Sequence, residues 1–338
     1  VNHAGPAARA AIVALTCLAI GSALILLAGE SPARVWAAMA AGTFGDPYAL
    51  GQVLLKATTL MFTGLAVALA LDAGLLHIGA ESQLIAGSLT AGAVGAALPA
   101  GTHPALALPI VLGAVALVGA GLGAMIGALR VWRGAHEVIT GILLNVIVGG
   151  VALWIGNTAM FEGGTTRAAP IVAGAELPTL GIAGSAANAA TVLALLLAGT
   201  LWLVRTRTRA GAELRAVGWQ PAAAHTAGVA VARLQVTAMA AAGAIAALAA
   251  SNLVLGHKHA FEEGLGRGSG YLAVAVALLG RAHPVGVIGA ALGLSLLSQG
   301  GLAVSELVPK EFIDVLIGAV VIVVALVLRP RDGRSATR

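Results

Sequence analysis

SQLIAGSLTAGAVGAALPAGTHPALALPIVLGAVALVGAGLGAMIGAL, residues 82–129, runs for 48 residues without one Asp, Glu, Lys or Arg. A helix needs about 20 mostly apolar residues to cross the hydrocarbon core of a bilayer, so this stretch is long enough for two crossings. Leu98-Pro99-Ala100-Gly101-Thr102-His103-Pro104 sits near its centre, where two prolines and a glycine predict a hairpin turn. The rest of the chain has the same character. Of its 338 residues, 59% are hydrophobic and 10% charged, against about 25% charged in globular proteins. Mean hydropathy is +0.96. A water-soluble domain of this length cannot cover its surface with so few charges, so an ordinary soluble enzyme, a disordered chain and a nucleic-acid-binding module are excluded. The composition predicts an all-α, polytopic membrane bundle.

Further uncharged runs fall at 10–29, 57–71, 138–161, 177–204, 234–257, 268–280, 282–305 and 315–328. Counting the short, Gly-flanked 268–280 run as one half-length or broken crossing, the total is about ten transmembrane helices. Basic residues gather on the cytoplasmic side of membrane proteins, which gives the net charge of +5 a topological reading. With the N-terminus inside and sides alternating, the inner segments carry Arg9, Arg130, Arg133, Arg205, Arg207, Arg209, Arg215, Arg233, Arg281, Arg329, Arg331, Arg334 and Arg338. The outer side and its helix ends hold Arg34, Lys56, Arg167, Lys258, Arg267 and Lys310, together with most of the acids. Both termini are therefore expected in the cytoplasm, in one transmembrane domain over 1–338 with a basic tail at 329–338. The first run continues for 20 residues without a small-x-small cleavage site before Glu30, and is expected to be a retained anchor helix. Cys17, the single cysteine, leaves no disulfide framework and no Cys-based metal site.

Polar groups inside apolar runs are costly and therefore informative. The densest cluster is Asp72-Ala73-Gly74-Leu75-Leu76-His77-Ile78-Gly79-Ala80-Glu81-Ser82-Gln83. Its residue types can fit a broken helix start exposed to a central cavity, but taken alone they better fit a cytoplasmic turn with Glu81 at the positive end of the next helix. Asn145 falls about two turns into the following span, either as interhelical glue or as a pathway contact. Phe62 and Trp154 can pack in the core or in lipid, or offer stacking surfaces to a ring. The 205–233 loop is basic, and Gln220-Pro221-Ala222-Ala223-Ala224 between Gly218 and Gly228 predicts a short helix with proline in its first turn. Such a helix at the membrane surface suits contact with a cytoplasmic partner.

None of the three lysines follows a glycine in a phosphate-binding loop, so the chain has no P-loop ATPase motif of its own. No H-E-x-x-H, Cys–His metal spacing or G-x-S-x-G elbow occurs. No catalytic residue, metal ligand or cofactor is expected, and no nucleic-acid partner.

Several segments, in order, resemble a known family. Leu76-His77-Ile78-Gly79-Ala80-Glu81-Ser82-Gln83 is similar to the F-N-I-G-x-E-G-Q signature of permease subunits of ATP-binding-cassette importers for nucleosides and simple sugars, within the branched-chain amino-acid and ribose permease group. The stretch from Ser31-Pro32 to Tyr48-Ala49 looks like that family's first external loop. His136-Glu137-Val138-Ile139-Thr140 with Leu144-Asn145 resembles N-E-V-I-x-T-x-M-L-N-Y. Gly218 to Ala223, with Ala227-Gly228-Val229, resembles the coupling segment G-x-N-P-x-A-A-x-x-A-G-I, and Ala273 to Gly286 resembles I-A-V-A-L-L-G-R-x-x-P-x-G. His77, Ser82, His136 and Gln220 depart from the pattern.

The resemblance implies a multi-pass subunit of a bacterial-type cell (inner) membrane that forms half of a permease pair, homo- or heterodimeric. A separate cytoplasmic ATPase would hydrolyse the ATP, and an extracytoplasmic solute-binding protein or lipoprotein would deliver the solute. The ATPase contact would fall on Gly218, Trp219, Gln220, Pro221, Ala222, Ala223, Ala224 and Gly228. The solute path would involve His77, Glu81, Gln83 and Asn145, with Phe62 and Trp154 as ring surfaces. A secondary transporter of a small polar solute and a polytopic membrane enzyme are the competing classes.

Overall fold

The computed structural model describes residues 6–327, with side chains from 15 to 309 and 311 to 323. The basic tail expected over 329–338 and the Arg9 and Lys310 side chains lie outside the described residues. Among those residues the chain is all-helical, with no strand and three isolated β-bridges. The described residues divide into two compact units, one of residues 6–50 and 293–327, the other of residues 51–292.

In the first unit, α1 (Pro6–Leu27) is followed by α2 (Pro32–Phe44), bent by 113° from it. The Ser31–Ala49 stretch, likened above to an external loop, is thus largely helical. Pro32 explains the helix start, because its fixed φ suits a first turn and its missing N–H costs nothing there. α1 packs on α13 (Lys310–Val327), around a core that includes Ile25, Val35, Met39, Val304 and Ile313. The Trp36 indole N–H donates to Ser22 Oγ at 3.0 Å.

In the second unit, α3 (Pro47–Asp72) and the continuous segment Val231–Lys258 are mostly buried. α5 (Pro104–Arg133), α6 (Glu137–Ile155) and α7 (Ala190–Arg207) expose apolar side chains such as Leu117, Val146, Ile147 and Leu196. Such outward apolar faces suit a lipid solvent. α4 (Ala80–Ala97) and α5 form the expected hairpin. Its turn is closed by Thr102 Oγ1 donating to Pro99 O at 2.6 Å, by Gly101 at φ +86°, and by His103 Nδ1 capping α5 at Ala105 N.

α5 packs closely along α10 (Val231–Ala247). Gly119, Gly123 and Gly127 are spaced by four along α5, and a Cβ at Gly119 or Gly243 would overlap the other's backbone carbonyl. Glycine here lets two backbones touch, which is how helices associate where no hydrophobic driving force exists. Replacing Gly243 with Val should therefore prevent recovery of monodisperse protein in detergent. Gly113→Ala, where an added Cβ meets nothing within 4 Å, should leave the chromatographic profile unchanged.

Against an expectation of about ten crossings, six helical segments among the described residues are long and apolar enough to span a membrane: Pro47–Asp72, Pro104–Arg133, Glu137–Met160, Ala190–Arg207, Val231–Lys258 and Pro284–Ala303. The bent pair of α1 and α2 makes a possible seventh. α11 (Ser269–Leu279) has only 11 residues between Gly268 and Gly280, about 16 Å at ~1.5 Å per residue.

The 177–204 run differs from expectation, because helix α7 begins only at Ala190. Residues 177–189 instead form a turn structure with Gly181, Ala183 and Gly184 at positive φ and a bridge between Thr179 and Asn188. Two π-helical turns, Gly156–Met160 and Ser251–Lys258, also escaped the apolar pattern. The second buries Asn252, whose Nδ2 donates to Leu55 O and Thr59 Oγ1, both at 2.8 Å, while its side-chain oxygen accepts from Asn188 Nδ2 at 3.0 Å.

Candidate functional site

α3 stops at Asp72, and Gly74 at φ +74° turns the chain into an extended stretch that reaches α4 at Ala80. This break lies inside the bundle. His77 is fully buried, with its Nε2 and Gln83 Oε1 2.7 Å apart. Ser82 Oγ donates to Gly79 O at 2.6 Å.

Asn145, on α6, is bonded at both ends of its amide. Its Oδ1 accepts from Ser82 N at 2.9 Å and its Nδ2 donates to Ile78 O at 3.1 Å. It thereby satisfies backbone groups that the interrupted helix leaves without intrahelical partners. The Glu81 carboxylate reaches across to α11, accepting from Gly268 N at 2.7 Å and Gly270 N at 2.8 Å. A negative group at the positive end of a helix is favourable, and here one carboxylate fixes the starts of two helices to each other. Gly270 permits the approach, since a Cβ there would overlap the backbone of Glu81. Glu137, at the start of α6, pairs with Arg130 at 3.2 Å.

Glu81 and Asn145 border a cleft of about 380 Å³ between α4, α6 and the 261–271 segment. That volume falls within the roughly 300–1,000 Å³ common for small-molecule sites. Ile85, Val146, Leu153 and Phe261 give it apolar walls, and Ser88 and Tyr271 also line it. At its edge, Glu262 pairs with Lys258 at 3.3 Å and Glu263 with Arg267. Arg167 donates to Lys258 O at 3.2 Å. Phe161 stacks on Phe261, ring centres 6.0 Å apart, holding the 161–168 segment against the cleft wall.

Of the six candidate pathway residues, the structure thus brings Glu81 and Asn145 to one cleft. His77 and Gln83 are sealed behind it, Phe62 is fully buried on α3, and Trp154 is 64% exposed at the end of α6. Ser88, Tyr271 and the 261–267 segment were not singled out in the sequence. Ser88 stands one helical repeat beyond Glu81 and Ile85, at i, i+4 and i+7, and that spacing was the available signal. Among the described residues no cluster of three or more His, Cys, Asp or Glu has metal-binding geometry.

A second surface is built from α8 (Arg209–Trp219) and α9 (Pro221–Thr226). Gln220 between them is extended, at φ −150° and ψ 90°, as a residue before proline prefers. Trp219 is 93% exposed, Ala222 and Ala223 are exposed, and Ala224 is buried. Gly218 is seated on the end of α3: a Cβ there would overlap Asp72 O and lie 2.9 Å from Gly74 N. Asp72 pairs with Arg205 at 3.1 Å, and Arg205 also donates to Ala282 O in the turn between α11 and α12 (Pro284–Ala303). The same few residues therefore join the exposed α8–α9 surface, the break after α3 and the end of α11.

The chain matches the family described as branched-chain amino acid transport system / permease component over residues 49–325. It is 33% identical over 317 residues to the guanosine ABC transporter permease protein NupP of Bacillus subtilis, covering 91% of this chain and 90% of that one. It is 30% identical to the glucose ABC transporter permease protein TsgB13 of Haloferax volcanii, covering 92% and 85%. The nucleoside ABC transporter permease protein NupB of Lactococcus lactis is 28% identical, with 91% and 87% covered.

Proposed function

The chain belongs to the branched-chain amino acid transport system / permease component family, and from that membership we propose that it forms the solute pathway of an ABC importer for a nucleoside or a simple sugar. It works as one permease domain of about ten crossings, one of them short, with both termini in the cytoplasm of a bacterial-type cell. The excess of arginines on alternate loops supports that orientation. It pairs with a second permease subunit, receives solute from an extracytoplasmic binding protein or lipoprotein, and takes its energy from a cytoplasmic ATPase.

The observation that carries this reading is the α8–α9 surface, which leaves Trp219 exposed and seats Gly218 on the helix break that leads to the cleft. An indole left on a surface is a frequent anchor for a partner protein. ATPase closure pressing on Trp219, Gln220, Pro221, Ala222, Ala223 and the turn at Gly228 moves the end of α3, and with it the α4 start that carries Glu81. The cleft then opens to alternate sides by rigid-body rocking.

Ala223→Glu tests the contact. The side chain at 223 is exposed, so the variant should keep the wild-type thermal midpoint in detergent. In proteoliposomes containing the ATPase and binding protein, stimulation of ATP hydrolysis by loaded binding protein should disappear. Unchanged stimulation removes α9 from the ATPase interface. Uptake by this chain without ATPase or ATP would favour a gradient-driven carrier over an importer subunit.

A further inference from the structure

Most polar groups around the cleft already have partners. Glu81 holds the start of α11, Asn145 holds the start of α4, Glu262 pairs with Lys258, and Glu263 pairs with Arg267. Ser88 differs. Its side chain is 1% exposed, it lines the cleft, and its Oγ has no hydrogen-bond partner. A serine inside a helix commonly returns its hydroxyl to the carbonyl four residues back, as Thr90 does to Ala86 O in this same helix. Leaving a buried hydroxyl unpaired is unfavourable, and alanine is the better helix former. A polar atom held in this state is suited to a partner that arrives with the solute.

The surroundings narrow what that solute is. Ile85, Val146, Leu153, Phe261 and the half-exposed ring of Tyr271 make the walls apolar and aromatic. A simple sugar carries hydroxyls around most of its ring, and each one buried without a partner opposes binding. A nucleoside carries hydroxyls on its ribose too, but its base adds two apolar faces with all hydrogen-bonding atoms held in the ring plane, so it gains from aromatic contact that a lone sugar ring uses less fully. We propose that Ser88 is a specificity-determining residue that hydrogen-bonds the edge of a nucleobase lying against Tyr271, and that the solute class is the nucleoside rather than the sugar. This inference rests on the importer reading above.

The test uses the complete transporter, with its permease partner, ATPase and binding protein, in proteoliposomes supplied with ATP. Uptake of labelled uridine and guanosine is compared with that of glucose and ribose. Nucleoside uptake at subsaturating solute should fall about tenfold in Ser88→Ala, the factor that one lost net hydrogen bond produces. Ser88→Thr, which keeps a hydroxyl, should restore most of it. The thermal midpoint of Ser88→Ala should be no lower than wild type, because the Oγ has no partner in the fold. Gly149→Leu is a second probe: Gly149 lines the cleft and an added Cβ meets nothing within 4 Å, so the larger side chain should reduce nucleoside uptake without loss of stability.

Uptake of sugars alone, unaltered nucleoside uptake in Ser88→Ala, or a lowered midpoint in that variant would overturn the role of Ser88 while leaving the importer intact. ATP-independent uptake, or no uptake of any of the four solutes by wild type, would instead overturn the importer reading and this inference with it.

Discussion

Glu81→Ala is expected to lower the thermal midpoint of the detergent-solubilised protein by several degrees and to abolish ATP-driven uptake. The carboxylate is 3% exposed and accepts two backbone N–H bonds at 2.7 and 2.8 Å. Hydrogen bonds to charged groups contribute about 1.5–3 kcal/mol each, so losing both removes roughly 3 kcal/mol or more. The alanine also leaves the Gly268 and Gly270 amides buried without an acceptor, at the positive end of α11. Glu81→Gln retains one side-chain oxygen, so its midpoint should fall between those of wild type and Glu81→Ala. A midpoint for Glu81→Ala equal to wild type would show that the start of α11 is held by something other than this carboxylate.

The second large effect is expected at Gly218, and it falls on coupling. A Cβ at this position overlaps Asp72 O and crowds Gly74 N at 2.9 Å. Both are backbone groups, so no rotamer change relieves the conflict. Gly218→Val should push α8 away from the end of α3 while leaving the exposed Trp219 and α9 available to a partner. In the reconstituted transporter, ATP hydrolysis should continue while solute moved per ATP drops more than tenfold, with Gly218→Ala intermediate. An unchanged ratio of transport to hydrolysis would show that force does not travel through this contact.

The membrane class and the α4–α5 hairpin are legible in the sequence for direct reasons. Composition alone decides whether a chain can live in water, and Pro99, Gly101 and Pro104 punctuate an otherwise unbroken apolar run. The short α9 is legible too, because Pro221 suits a first turn and forces Gln220 to be extended. Apolarity without turn chemistry misleads: 177–189 is uncharged like its neighbours, but glycines at 181 and 184 with positive φ keep it out of α7. The two π turns carry no mark in the residue pattern, although in one of them the Phe161 ring packs where a side chain at Gly156 would sit.

In the candidate site, the polar residues of 72–83 stand out because they are costly in an apolar setting, and the family resemblance marks the same stretch. What the sequence hides is where their hydrogen bonds go. Asn145 reads as glue or as a pathway contact, and Glu81 as a helix-end group or a cavity group; in the structure both are engaged by backbone 63 to 189 residues away. Ser88 is the converse, an unremarked serine in a small-residue helix whose interest lies only in the partner it lacks.

The charges bordering the cleft set one further limit. Three carboxylates, Glu81, Glu262 and Glu263, line it with the guanidinium of Arg267, and Lys258 and Arg167 stand at the same edge. Lys258 and Arg267 are each already paired with a carboxylate, so a phosphate ester approaching that vestibule has to displace Glu262 or Glu263 to gain either cation. A neutral solute leaves both ion pairs intact, so entry without exchange of counter-charges is open to uncharged molecules.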